Sequence, residues 1–182
     1  MRIRTFASVF VGTWLLSACA SAPGTSDAVQ LFGSNDTPRF HAYVACTSNT
    51  VNCAIVGRAF DSWAGDRRVS LDTVSPDDKA FIAGTPSPAA ERTLPYRLAV
   101  RYATDMSAPA NPMGGGSMTP MISYVATVQV FDASTGRLLK TMSFKDKILI
   151  DQSGGTANPY INAQVRGLLK HVDAGYAGSS AS

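Results

Sequence analysis

An α+β domain is predicted from this sequence: an antiparallel sheet of about four to six strands packed by one or two helices. Two patterns predict it. Residues 96–103, 122–131 and 138–144 alternate apolar and polar side chains at the two-residue period of a strand. Ile161, Val165, Leu168, Leu169 and Val172 fall on one stripe of a helix, with Asn162, Gln164, Arg166 and Lys170 facing away.

Taken in order, the first strand is expected over 40–46, where Phe40, Ala42, Val44 and Cys46 alternate with His41, Tyr43 and Ala45. Thr47-Ser48-Asn49-Thr50 turns the chain. Val56, Ala59, Phe60 and Trp63 then sit at helical spacing, with Asn52 placed to cap the start and Gly65 to stop the helix. Gly57 weakens that helix, and a strand over 53–56 followed by a turn is the open alternative. A short strand is expected over 68–74, where Val69, Leu71 and Thr73 share a face, and the Pro- and Gly-containing residues 75–93 read as a loop.

The clearest strand is 96–103: Tyr96, Leu98, Val100 and Tyr102 form a buried face, and Arg97, Ala99, Arg101 and Ala103 a wet one. Residues 104–120, with three prolines and Gly114-Gly115-Gly116, read as a mobile insert. The strands 122–131 and 138–144 are joined by Asp132-Ala133-Ser134-Thr135-Gly136, the residue types of a four- or five-residue hairpin turn. Ile148-Leu149-Ile150 either extends the last strand or bends into another. After a polar loop at 151–157, Asn158 is placed to cap a helix over 158–174, Pro159 to occupy its first position and Gly175 to end it.

The chain carries no recognisable catalytic constellation. Gly114-Gly115-Gly116-Ser117 lacks the Gly-Lys-Ser/Thr of a phosphate loop, and Ser117 lacks the glycine that a nucleophile elbow requires. His41 and His171 are the only histidines and read as a strand-face residue and a helix-end residue. Asp78, Asp146 and Asp151 are too scattered to pair as acid and base. No catalytic residue, cofactor or metal is therefore expected. Arg97 and Arg101 share a strand face about 13 Å apart from rise alone, which makes them the candidate ligand-binding residues for an anion, against the alternative of solvated arginines. Tyr96, Tyr102, Tyr124 and Phe131 could line a groove for an acyl chain, or simply pack the core. The formal net charge of the full chain is +3, two units of which come from Arg2 and Arg4 near the N-terminus. That leaves no electrostatic case for a nucleic-acid partner.

The N-terminus carries the most specific signal. Met1-Arg2-Ile3-Arg4 is a basic n-region, Thr5 to Leu16 an apolar h-region too short to span a bilayer, and Ser17-Ala18 a small-residue cleavage site. Leu16-Ser17-Ala18-Cys19 resembles the lipobox of bacterial lipoproteins. That resemblance implies a signal peptide over 1–18, cleavage before Cys19, acylation of Cys19 and, with Ala20 following, the outer membrane with the domain on its periplasmic side. Residues 19–38 are small and polar and read as a flexible tether to a single domain at 39–176, although Val29, Leu31 and Phe32 could dock as a strand; 177–182 read as a disordered tail. With Cys19 acylated, Cys46 and Cys53 remain as an even pair in an oxidising compartment, and a disulfide between them is expected. It closes a short loop and contributes about 2 kcal/mol on the loop-entropy model.

Val128-Gln129-Val130-Phe131-Asp132-Ala133-Ser134-Thr135-Gly136-Arg137-Leu138-Leu139, followed by a closing amphipathic helix, resembles the last third of the ABC-transport auxiliary lipoproteins and related small envelope lipoproteins. The tether and the missing catalytic constellation point to a non-enzymatic accessory or scaffold subunit with an envelope protein partner. A binding module for a lipid or other hydrophobic ligand is the alternative.

Overall fold

A computed structural model of the chain describes residues 29–107, 120–150 and 157–176. The expected signal peptide, the acylation site Cys19, the tether up to residue 28, most of the 104–120 insert, most of the 151–157 loop and the tail lie outside the described residues. Five strands, β1 (Phe40–Thr47), β2 (Ser70–Thr73), β3 (Tyr96–Ser107), β4 (Met121–Asp132) and β5 (Leu138–Leu149), form one sheet in the order β2-β1-β3-β4-β5. Helices α1 (Cys53–Arg67) and α2 (Asn158–Val172) complete the α+β fold.

The longest pairings, β3 with β4 and β4 with β5, are antiparallel, whereas β1 runs parallel to both its neighbours. β1 is parallel to β2 because α1 carries the chain from the end of β1 back to the start of β2 as a crossover, and parallel to β3 because residues 74–95 return the chain a second time. Two strand readings shift at their ends. β3 continues through Ser107 into the stretch read as an insert, because Thr104, Asp105, Met106 and Ser107 find register partners in Tyr124, Ser123, Ile122 and Met121. At the far edge, Ile148 and Leu149 extend β5, paired with Ile122 and Met121, so the open choice there resolves to one long strand.

One face of the sheet is covered by both helices. Phe40, Ala42, Val44, Leu98, Val100, Tyr102, Ile122, Ala126 and Val128 project toward Val56, Phe60 and Trp63 of α1 and Ile161, Val165, Leu168 and Leu169 of α2. Asn52 caps α1 as read, its side chain accepting from the Ala54 amide. Gly65 does not stop α1, which runs on to Arg67. Arg68 ends it in the left-handed conformation (φ 56°), its amide donating to Ala64 O and Gly65 O. The strand alternative over 53–56 is excluded by that helix.

Asn158 lies inside α2; the capping position is Ala157, which makes no side-chain cap bond. Gln164, read as facing outward, is buried, and its amide donates to Ile122 O at 3.1 Å, satisfying a carbonyl at the start of β4. Just past α2, the fully buried Asp173 accepts from Arg67 Nε at 2.7 Å, Arg67 Nη2 at 3.0 Å and Trp63 Nε1 at 3.1 Å, pinning the end of the domain to α1. Cys46 and Cys53 are disulfide-bonded, with Cα atoms 5.7 Å apart, and tie the end of β1 to the first residue of α1.

Residues 29–39 do not hang free. Val29, Leu31 and Phe32 pack against the core, Phe32 sits edge-on to Phe40 with ring centroids 5.4 Å apart, and the Arg67 guanidinium lies 4.5 Å above the Phe32 ring. Three apolar side chains in a polar stretch are enough to dock it.

Candidate functional site

The opposite face of the sheet is covered by chain with little regular structure. Residues 74–95 cross over β1, β3 and the β4–β5 turn, with a single 3₁₀ turn at Lys79–Phe81 capped by Asp78, whose side chain accepts from the Ala80 amide. Phe81 packs against Ala45, Ala99 and Phe131 in a small second core. The supposed wet face of β3 is therefore dry at its start: Arg97 and Ala99 are 1% and 0% exposed.

Arg97 holds this loop down. It donates from Nη1 to Thr85 O at 2.5 Å and from Nη2 to Ile82 O at 3.2 Å, while its guanidinium lies 4.4 Å above the Phe131 ring. Burial lowers its pKa, opposed by Tyr43, Glu91 and Asp78. Arg101, on the same face, is exposed but also engaged, 4.2 Å above the Phe81 ring and reaching Pro76 O at 3.3 Å. The two candidate ligand-binding arginines thus share a face as read, and their guanidiniums meet loop carbonyls, aromatic rings and, for Arg101, the Gln129 side-chain oxygen. Gly136 completes the seam: its φ is +71°, its carbonyl accepts from the Gly84 amide, and a Cβ there would lie 2.4 Å from the Thr85 backbone.

Between this loop and β1 lies a cleft of about 530 Å³ lined by Tyr43, Asp78, Lys79, Ser87, Glu91, Arg92 and Arg97 among others. The Tyr43 hydroxyl donates to Glu91. Burial, then that hydrogen bond, raises the tyrosine's pKa far above its ordinary value. Ser87 Oγ and Arg97 Nε are buried here without a partner. At the rim, His41 Nε2 lies 2.8 Å from Asp72 Oδ2, and the His41 ring is tilted on Tyr43 with centroids 4.8 Å apart. His41, Asp72 and Glu91 bring one ligand-type atom each to within 4.8 Å of one another.

Sequence reasoning placed His41 on a strand face and stopped there. Its neighbours come from the parallel register, in which His41 pairs with Ser70 and Tyr43 with Asp72, and from a loop that returns Glu91 over β1. No local spacing announces either. His171, by contrast, stays at the end of α2, its Nδ1 2.8 Å from Gly167 O and its ring 5.2 Å from Phe144. Of the aromatic residues considered for a groove, Tyr102 and Tyr124 stack at 5.1 Å inside the helix-covered core, Tyr96 packs against it, and Phe131 lies under Phe81 on the other face.

No family model matches this chain, and no curated protein does. Solved structures similar to it in overall arrangement include a neuraminyllactose-binding hemagglutinin homolog from Helicobacter pylori (10% identity, 72% of this chain and 80% of that one, TM-score 0.46). A lipoprotein from Neisseria meningitidis is similar at 8% identity over 72% and 97% of the two chains, TM-score 0.40. A minor lipoprotein from Acinetobacter baumannii is similar at 10% identity over 72% and 92%, TM-score 0.36. No residue correspondence follows from likenesses at this level.

Proposed function

We propose that this chain is a lipid-anchored envelope lipoprotein, held at the outer membrane with its domain toward the periplasm, and that it serves as a non-enzymatic accessory or scaffold subunit of a transport or assembly complex. The observation that carries the reading is Leu16-Ser17-Ala18-Cys19 placed directly after a basic and an apolar segment. Attachment then comes from acyl chains on Cys19, and among the described residues no helix is long and apolar enough to cross a membrane.

A surface for a protein partner is available on the β4–β5 side. Among the described residues β5 is the edge of the sheet, and its outer backbone groups have no strand beside them along twelve residues. Near that end, Val125 and Leu149 are 55% and 62% exposed on the face away from the helices, which also carries Lys145 and Lys147. An edge strand of this kind is a ready template for a partner's strand, and its lysines guard it against indiscriminate pairing.

Crosslinking in intact cells followed by pull-down on a C-terminal tag tests the proposal, with Cys19→Ala as the comparison. A defined set of envelope proteins captured only with Cys19 present is the expected result. Capture of a hydrophobic small molecule with no protein enriched overturns the subunit reading and favours a ligand-binding module.

A further inference from the structure

We propose that His41, Asp72 and Glu91 form a binding site for a divalent transition-metal ion of the zinc class. They stand on three separate segments, β1, β2 and the 74–95 loop, yet their ligand-type atoms converge to within 4.8 Å. One imidazole nitrogen and two carboxylates supply a mixed N/O donor set with two negative charges. Such a set suits a first-row divalent metal better than calcium or magnesium, which take oxygen-rich shells.

Bonds of about 2.0–2.2 Å set tetrahedral ligand atoms roughly 3.4 Å apart, so closure on the ion needs shifts of about 1 Å. The residues can supply them. Asp72 has a side chain 56% exposed, and Glu91 lies on a loop, while the largely buried His41 is held against Tyr43. The ion takes the place of the hydrogen bond between His41 Nε2 and Asp72 Oδ2. The Tyr43 hydroxyl, donating to Glu91, orients that carboxylate in the way that outer hydrogen bonds fix metal ligands.

A second observation is independent of the cluster. Ser87 Oγ and Arg97 Nε, on residues 2% and 1% exposed, have no partner, and both residues line the same cleft as Glu91. Three protein ligands leave a fourth position open for a water or a small anion. The bound ion would also link the irregular loop to two strands, β1 and the edge strand β2.

The test uses the untagged full chain purified in detergent and stripped with a chelator, titrated with ZnCl2 by calorimetry and with CoCl2 by visible absorption. Expected are one ion per chain, cobalt d–d bands, and a loss of affinity of at least about tenfold in both His41→Ala and Glu91→Gln. His171→Ala binds as wild type. Circular dichroism checks each variant; if His41→Ala does not fold, Asp72→Asn takes its place beside Glu91→Gln. Absence of binding by the folded wild-type chain, or binding that the ligand variants leave unchanged, overturns the proposal.

Discussion

The two faces of the sheet are closed by different means. On the helix side, closure is apolar and repetitive: rows of alternating strand residues meet two helical stripes, and the main core lies there. On the loop side the apolar core is small, built around Phe81, Ala99 and Phe131, and the cover is held by a buried arginine, two carbonyls and a glycine with positive φ. The first face resists by area removed from water, the second by a few directional contacts. Damage to the first should therefore be global, and damage to the second local.

Trp63→Ala is the largest expected break. The indole is fully buried, stacks on Phe40 with centroids 6.2 Å apart and donates to Asp173, so its loss should cost about 4 kcal/mol and lower the melting temperature of the whole domain. Arg97→Ala should cost about 3 kcal/mol, because the Thr85 and Ile82 carbonyls and the Phe131 ring lose a charged partner. Its signature differs: hydrogen exchange should accelerate in residues 75–94 well before β3 and β4 open. If the two variants open the same amides together, the faces are one cooperative unit and the contrast between them fails.

Gly136→Ala sharpens the comparison from the other side of the seam. An added Cβ would meet the Thr85 backbone at a residue already at φ +71°, and a loss of about 2 kcal/mol is expected, again with faster exchange in the loop. The smallest effect belongs to the turn that presents Gly136. Asp132 Oδ1 accepts from the amides and hydroxyls of Ser134 and Thr135, and Asp132→Ala should cost about 1 kcal/mol at neutral pH. Those bonds, the Ser134 hydroxyl first, lower the carboxyl's pKa below its usual 3.8. The contribution is therefore complete above that value and disappears as pH falls through the lowered folded value, so denaturation curves of wild type and variant should converge in acid.

What could be read in advance follows the same division. The alternation in β3 and β4 and the stripe of α2 were legible because solvent and core impose a period on any chain lying between them. The Cys46–Cys53 pair was legible by counting, and the 132–136 turn by its residue types. Parallel pairing of β1 was not, since alternation fixes which way a side chain points but not which strand lies beside it. Arg97 and Gln164 misled for one reason: a polar residue in a periodic pattern reads as solvent-facing, yet both are buried where backbone carbonyls need donors. The grouping of His41 with Asp72 and Glu91 was hidden twice over, by strand register and by the path of a loop.

The clasp between Arg67 and Asp173 joins residues 106 positions apart, and its acceptor comes after the last helix. A chain that emerges N-terminus first exposes all five strands before the residue that locks α1 is available. Until then the helix side of the sheet lacks α2, its aromatic and aliphatic rows are uncovered, and the loop-closure entropy of the longest contacts has not been offset. A chain made N-terminus first therefore completes the helix side of the sheet only once residue 173 is in place.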